Sequence, residues 1–354
     1  MAKEKKIVAW WLLLGVVMIF FQIVIGGITR LTGSGLSITK WEIVTGAVPP
    51  LNEAAWNTEF EHYKATPQYH KLNHGMSLAE FKFIYFWEYF HRLWARLMGF
   101  VFAIPFAVFL FQKKLSSSLI KQLLVLILLA ALVASFGWIM VKSGLVNRPW
   151  VDAYKLTLHL SLALVTYGYL VWLFLSQFFE KKNFTIYPAL KKFAVSLLFL
   201  LCFQLVLGGL MSGMHAGLLY PTFPDMHGQF IPDVLLTASN WTSASFLHYD
   251  TDPFAPTLIQ FLHRGTAYLF FVLTLIFFFR SKKYSLNHPL PLMMNMLTFL
   301  VSLQVLLGIL TVLHFTGETP VLLGVLHQAT AILLLSALIG VNFLLRKQDV
   351  KGAG

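Results

Sequence analysis

Apolar residues along the chain gather into eight long runs that are separated by polar segments. A helix needs roughly 20 apolar residues to cross a hydrocarbon layer of about 30 Å, and each run reaches about that length. The pattern therefore predicts an all-α membrane protein with eight transmembrane helices. The predicted spans are residues 8–28, 86–111, 118–141, 153–179, 192–212, 255–279, 290–313 and 320–345.

The connections between these runs differ greatly in length. The two longest are residues 29–85 and residues 213–254, and we expect short interfacial helices around "EAAWNTEFEHYK" and "SLAEFKFIY" in the first. Gly33 and Gly35 in "LTGSGLS" follow no strand and fit no phosphate-binding loop, so we expect them to end the first helix and turn the chain.

Composition agrees with a membrane protein. Hydrophobic residues make up 57% of the 354 residues and charged residues 12%, whereas soluble domains have about 25% charged residues. The apolar run behind "MAKEKK" lacks an A-x-A-type cleavage site, so we expect it to remain as the first helix.

Charge is distributed unequally between the two ends of the spans. The N-terminus and four alternate segments hold 16 of the 27 lysines and arginines, which predicts that they and both termini face the cytoplasm in a bacterial-type inner membrane. The opposite side carries 12 of the 15 acidic residues. The net charge of +12 thus reflects topology, and we expect no nucleic-acid partner. Cys202 is the only cysteine, which excludes a CxxC redox pair and a covalent CxxCH haem site.

The first half of the chain resembles the second. "FFQIVIGG" aligns with "LCFQLVLGG" at an offset of 182 residues, "YFHR" with "FLHR" at 172, and "LTLHLSLAL" with "GVLHQATAI" at 168. Four helices per half bring the second half into the membrane in the same sense as the first. We predict two parallel, pseudo-repeated four-helix bundles, residues 1–182 and residues 183–354, with the boundary in "EKKNFTIYPALKK".

Four histidines occupy equivalent depths, one to two turns inside the even-numbered spans. Each has an alanine four residues later, on the same helical face, which leaves room for a large planar ligand. The pairs are His91 with Ala95, His159 with Ala163, His263 with Ala267, and His327 with Ala331.

This pattern favours a haem bound between two histidines in each half, with His91 paired to His159 and His263 to His327. Any single membrane histidine could instead hydrogen-bond a neighbouring helix. Zinc is the metal alternative, but two histidines without a cysteine or carboxylate beside the second pair make a poor zinc site. Gln22, Gln204 and Gln304 are buried polar positions that we expect to bridge helices.

Two kinds of charged residue accompany the histidines. Arg92 and Arg264 repeat and are candidate propionate contacts, the alternative being that they reach to the outer headgroups. Glu88 does not repeat, because Gln260 stands 172 residues later. A carboxylate three residues before His91 could carry protons at one pocket only, although an ion pair with Arg92 or Lys82 explains it almost as well.

The segments "GGITRLTGSGLSITKWEIVTGAVPPL", "EYFHR", "MVKSGL", "FLHR" and "VLHQ" together resemble the haem A synthase family, and the resemblance covers essentially the whole chain. It implies an oxidoreductase acting on a CH group, which oxidises the C8 methyl group of haem O to a formyl group. It also implies that haem O synthase supplies the substrate and that an electron acceptor, not identifiable here, removes the electrons. The sequence leaves a homo-oligomer open.

Carried over onto this chain, the resemblance makes His91 and His159 the ligands of the substrate haem O and Glu88 its catalytic acid. His263 and His327 become the axial ligands of a haem b cofactor. Many relatives carry a cysteine pair in an outer loop, and this chain resembles the branch without it.

Two histidines on one iron disfavour oxygen binding there, so we expect successive hydroxylations with water as the oxygen source. The alternatives are a two-haem cytochrome b type electron carrier, which leaves Glu88 without a role, and a haem or solute transporter, which parallel repeats also permit.

Overall fold

The computed structural model describes residues 2–40, 48–146, 148–179, 187–284, 286, 289–317 and 319–346. These residues form helices and no strand. The α-helices are α1 (Ala2–Leu31), α2 (Glu53–Lys64), α3 (Pro67–Lys71), α4 (Leu78–Phe111), α5 (Ser117–Gly144), α6 (Ala153–Phe178), α7 (Pro188–Gly213), α8 (Asp233–Leu236), α9 (Ser243–Leu247), α10 (Phe254–Ser281), α11 (Leu290–Leu313) and α12 (Val321–Leu344).

Eight of these helices are long and apolar enough to cross a membrane, which confirms the predicted all-α membrane fold. They are α1, α4, α5, α6, α7, α10, α11 and α12. The predicted boundary between residues 182 and 183, and residues 41–47 of the family-like segment, lie outside the described residues. The parallel repeat of two bundles stays a prediction.

The largest difference from the predicted spans is the beginning of α4. The helix begins at Leu78 and not near residue 86, because Ser77 and Glu80 form a capping box there. No proline interrupts the chain between this cap and Pro105. The expected interfacial helix in "SLAEFKFIY" is therefore the first part of α4, whereas "EAAWNTEFEHYK" is α2, a separate helix.

The first helix ends as the sequence indicates. Leu31 is its last residue, and Gly33 has a φ of +67°, the left-handed conformation that favours glycine. The amide of Ser34 donates to the carbonyl of Thr29 at 2.9 Å, so the chain turns back on the last helical turn.

Residues 17–166 form one compact unit, called here the first unit. Residues 1–16 and 167–354 together form the second unit. In the second unit the core lies along the C-terminal half of α12, where residues 337–344 are all buried. Polar contacts tie neighbouring helices to it: Tyr167 Oη and Ser336 Oγ are 2.6 Å apart, and Asn342 Nδ2 donates to the carbonyl of Ala194 at 3.1 Å.

The first unit contains an aromatic cluster between α2 and the beginning of α4. Phe60 and Tyr63 of α2 pack against Phe81 and Tyr85 at the beginning of α4. Burial raises the pKa of Tyr63 to about 12, and its hydroxyl donates to Gln68 Oε1 at 3.0 Å. The cluster therefore holds the long first connection against α4.

Replacing Phe81 by alanine should destabilise this cluster by about 3–5 kcal/mol, because a fully buried phenyl ring is lost. The measurement is thermal denaturation of the purified protein in detergent. Phe83→Ala, on the same helix but with the side chain 56% exposed, is the control and should change the midpoint little. Equal losses in both variants would contradict the assignment of the cluster as a core.

Candidate functional site

The four predicted histidines lie in the N-terminal parts of four long helices. His91 belongs to α4, His159 to α6, His263 to α10 and His327 to α12, and all four side chains are partly buried. His91 and His159 fall in the unit of residues 17–166, and His263 and His327 in the other unit. The structure thus assigns one predicted pair to each unit.

Each histidine packs against a glycine on the long helix that precedes its own. A Cβ atom placed on the glycine would lie 2.9–3.6 Å from Cε1 of the imidazole, so the ring occupies the space that a side chain would fill. The pairs and distances are Gly26–His91 at 2.9 Å, Gly137–His159 at 2.9 Å, Gly208–His263 at 3.6 Å and Gly308–His327 at 3.0 Å.

Three of the histidines contact a glutamine that lies one helical turn before the glycine, on the same helix. Gln22 Nε2 lies 3.2 Å from Nδ1 of His91, and the amide nitrogens of Gln204 and Gln304 lie 3.1 and 3.2 Å from Nδ1 of His263 and His327. These glutamines bridge helices, as predicted, and they do so at the histidines themselves.

The fourth histidine has a different partner. His159 Nδ1 lies 3.0 Å from the backbone carbonyl of Val133, which occupies the position that glutamine has in the other three helices. A ligand that binds a metal through Nε2 carries its proton on Nδ1 and needs an acceptor for it. The Val133 carbonyl is such an acceptor, so the structure suits metal ligation by Nε2 of His159.

The spacing of the second pair fits a metal bound between two imidazoles. The ring centroids of His263 and His327 are 6.4 Å apart, and the rings are inclined by 66°. A metal–imidazole bond of about 2 Å on each side, plus about 1 Å from each nitrogen to its ring centre, spans roughly 6 Å. His159 likewise lies close enough to His91 to interact with it electrostatically.

The donor set also favours a porphyrin over a bare metal ion. Within the described ranges no three histidine, cysteine or carboxylate side chains come together in a way that could hold an ion. Two histidines supply only the axial ligands of a metal whose other ligands come from a macrocycle. Buried oxygen atoms of Gln22 and Gln304 have no hydrogen-bond partner, and amide rotation could offer them to a protonated Nδ1.

Glu88 is 3% exposed, and the loop that follows α1 surrounds its carboxylate. Oε2 accepts from Ser37 Oγ and from the amide of Ile38, both at 2.8 Å, and Oε1 accepts from Arg92 Nη2 at 2.5 Å. The ion pair with Arg92, one of the two explanations from sequence, is therefore present, and the same carboxylate also holds the loop.

Gln260, the counterpart of Glu88, makes a different contact. Its Nε2 donates to the carbonyl of Tyr220 at 3.0 Å, and Arg264 Nη2 donates to that same carbonyl at 2.7 Å. In the second unit, Gln260 contacts the loop through a neutral backbone carbonyl. In the first unit, the carboxylate of Glu88 makes the corresponding contact.

The two repeated arginines hold the loops that follow α1 and α7. Arg92 Nη2 donates to the carbonyl of Ile38 at 3.1 Å and Nη1 to that of Lys40 at 3.0 Å, while Arg264 Nη1 donates to the carbonyl of Asp225 at 2.8 Å. Their predicted role as propionate contacts stays a prediction.

The family model of the cytochrome oxidase assembly proteins, COX15-CtaA, matches residues 9–339. The chain belongs to this family. Heme A synthase of Flavobacterium johnsoniae is 40% identical over 341 residues, which cover 96% of this chain and 97% of that protein. Heme A synthase of Nitrosospira multiformis is 40% identical over 347 residues, covering 97% and 95% of the two chains. Heme A synthase of Rickettsia rickettsii is 35% identical over 354 residues, covering 97% and 99%.

Membership of the COX15-CtaA family confirms the resemblance inferred from the sequence motifs, and it agrees with the eight apolar helices. Sequence reasoning missed Gly137 and the carbonyl of Val133. The available signal was the spacing Q-x3-G, which occurs at Gln22, Gln204 and Gln304 and becomes V-x3-G at Val133.

Replacing Gly308 by alanine should displace the imidazole of His327, because the new methyl group would lie 3.0 Å from Cε1. We expect any haem that the second unit binds to be lost or to change its spectrum, as measured by the absorption spectrum and haem content of the purified protein. Gly208→Ala is the matched control, since its methyl group would lie at an ordinary 3.6 Å from His263. Both changes gain the same helix propensity, about 1 kcal/mol. Equal spectra for the two variants would contradict the close-contact argument.

Proposed function

We propose that this protein is a haem A synthase that oxidises the C8 methyl group of haem O to a formyl group. The observation that carries the proposal is the similarity to proteins of that name over nearly the whole of both chains. The two histidine pairs agree with it, because the reaction needs a bound tetrapyrrole as substrate and a second redox centre to remove electrons.

Each half of the chain then has its own task. His91 and His159 hold the substrate haem O in residues 1–182, and His263 and His327 hold haem b as cofactor in residues 183–354. The half-to-half difference supports this division, since only the first pair has a buried carboxylate, Glu88, three residues before a ligand.

The reaction adds oxygen to a methyl carbon and removes hydrogen from it. Each hydroxylation with water forms a C–O bond, breaks a C–H bond and releases protons together with a pair of electrons. Two such steps give a hydrated aldehyde, which loses water to leave the formyl group. Histidines on both faces of the substrate iron disfavour oxygen binding there, which supports water as the oxygen source.

Glu88 is the group that handles these protons in the proposal. Its carboxylate accepts hydrogen bonds from Ser37, Ile38 and Arg92, which fix its direction beside the helix face of His91. A carboxylate fixed in this way can take a proton when C–H cleavage begins. Haem b, when bound by His263 and His327, supplies a place for the electrons.

The proposal includes a cellular setting. The protein lies in the lipid bilayer of a bacterial-type inner membrane, with both termini in the cytoplasm and the histidine pairs towards the outer face. Haem O synthase supplies the substrate, and a separate acceptor reoxidises the enzyme.

Expression in a host that makes haem O but lacks its own synthase tests the function. Mass analysis of the extracted haems should show haem A, and growth in oxygen-18 water should label its formyl oxygen at synthesis. If no haem A forms, the two-haem electron carrier becomes the better interpretation. If the formyl oxygen carries label from oxygen gas, the water mechanism is wrong. His263→Ala and His327→Ala should each lose the haem b spectrum.

Replacing Glu88 by glutamine should lower haem A formation about 10²–10⁴-fold, the usual contribution of a positioned acid or base, while the haem b spectrum is kept. The measurement is haem A formed per mole of protein in membranes of equal protein content. Ser37→Ala is the matched control, because it removes one loop contact and leaves the carboxylate. If Ser37→Ala lost as much activity as Glu88→Gln, Glu88 would be a loop anchor and not the proton carrier.

A further inference from the structure

One cationic side chain lies on the face of α6 that carries His159. Lys155 is four residues before His159, so the two side chains are neighbours on one helical face. Along the helix axis Lys155 is about 6 Å closer to the beginning of α6. Since α6 begins at Ala153, Lys155 stands in the first turn, between His159 and the end of the helix.

The other three histidines have no such neighbour. The residues four positions before them are Trp87, Ile259 and Leu323, all apolar. Lys155 is therefore a difference between His159 and the other three histidines. Lys155 also distinguishes His159 from His91, the other histidine of the first pair. The division into a substrate site and a cofactor site does not explain this difference.

The charge of Lys155 is not neutralised by the carboxylate nearest to it in sequence. Asp152 Oδ1 accepts from the backbone amides of Tyr154 and Lys155 at 3.1 Å each, and Oδ2 accepts from Arg148 Nη1 at 2.9 Å. Asp152 thus caps α6 and pairs with Arg148. The side chain of Lys155 is exposed.

The arginine first expected to bind a propionate in this unit has other partners. Arg92 donates to the carbonyls of Ile38 and Lys40 and to Glu88, so its guanidinium is largely committed to the loop after α1. A tetrapyrrole dicarboxylate held by His159 still needs a cation at its polar edge, because an unpaired carboxylate at the boundary of hydrocarbon is costly.

We propose that Lys155 binds a propionate carboxylate of the tetrapyrrole held by His159, and that it sets the affinity of the first site for its substrate. The inference rests on the proposed function, in which His159 is a ligand of haem O. The propionate edge then faces the beginning of α6, and the opposite edge of the tetrapyrrole lies deeper among the helices. A lysine serves here as a point charge at the end of a flexible chain.

The experiment is a spectral titration of the full-length purified protein, its second site filled with haem b, with two probes. One probe is ferric haem as the free acid, and the other is the same haem as its dimethyl ester, which lacks the propionate charges. Lys155→Gln should weaken free-acid binding at the first site about three- to tenfold and leave ester binding unchanged. Lys155→Arg should restore most of the free-acid affinity.

Two further variants separate the outcomes. Lys64→Gln removes an equal charge from α2, where Lys64 pairs with Glu61, and should change neither titration. His159→Ala should abolish binding of both probes at the first site, and its failure to do so would overturn the proposed function itself. If His159→Ala behaves as expected but Lys155→Gln binds both probes like the parent protein, or weakens both equally, the propionate contact is wrong.

Discussion

The close approach of a glycine backbone to an imidazole ring is the constraint on which the site depends. Helices in hydrocarbon gain little from burying apolar surface against one another, so close packing and polar contacts hold them together. At Gly26, Gly137 and Gly308 the imidazole lies where even a methyl group would be crowded. The histidine-bearing helices can therefore come near their neighbours only because these positions have no side chain.

The same arrangement explains why the two units can share a plan and still differ in chemistry. The histidines, the glycines and the arginines Arg92 and Arg264 recur, whereas Glu88 in the first unit is replaced by Gln260 in the second. Glu88 fixes the loop after α1 with a charge, and Gln260 contacts its loop through a neutral amide. In the proposed function, this one difference separates the site that handles protons from the site that only transfers electrons.

Much of the fold could be predicted from sequence, since hydrophobic run length alone marks eight spans and the caps are local. The beginning of α4 was misplaced because polar residues precede its apolar run, and only the capping box of Ser77 shows that the helix starts earlier. At the site, residue identity indicated the four histidines. The contact between Gly137 and a histidine of another helix could not be predicted, because glycine occurs in apolar helices for many reasons. The carbonyl of Val133 is a backbone atom and leaves no trace in residue identity at all.

That last contact has an evolutionary consequence. Three of the histidines depend on a glutamine side chain, which a single substitution can remove, so their orientation can be lost or retuned by point mutation. His159 donates to a peptide carbonyl, which every amino acid at position 133 would still supply. This hydrogen bond therefore does not depend on which side chain residue 133 carries. Side-chain substitution can therefore change the surroundings of His91, His263 and His327 more freely than those of His159.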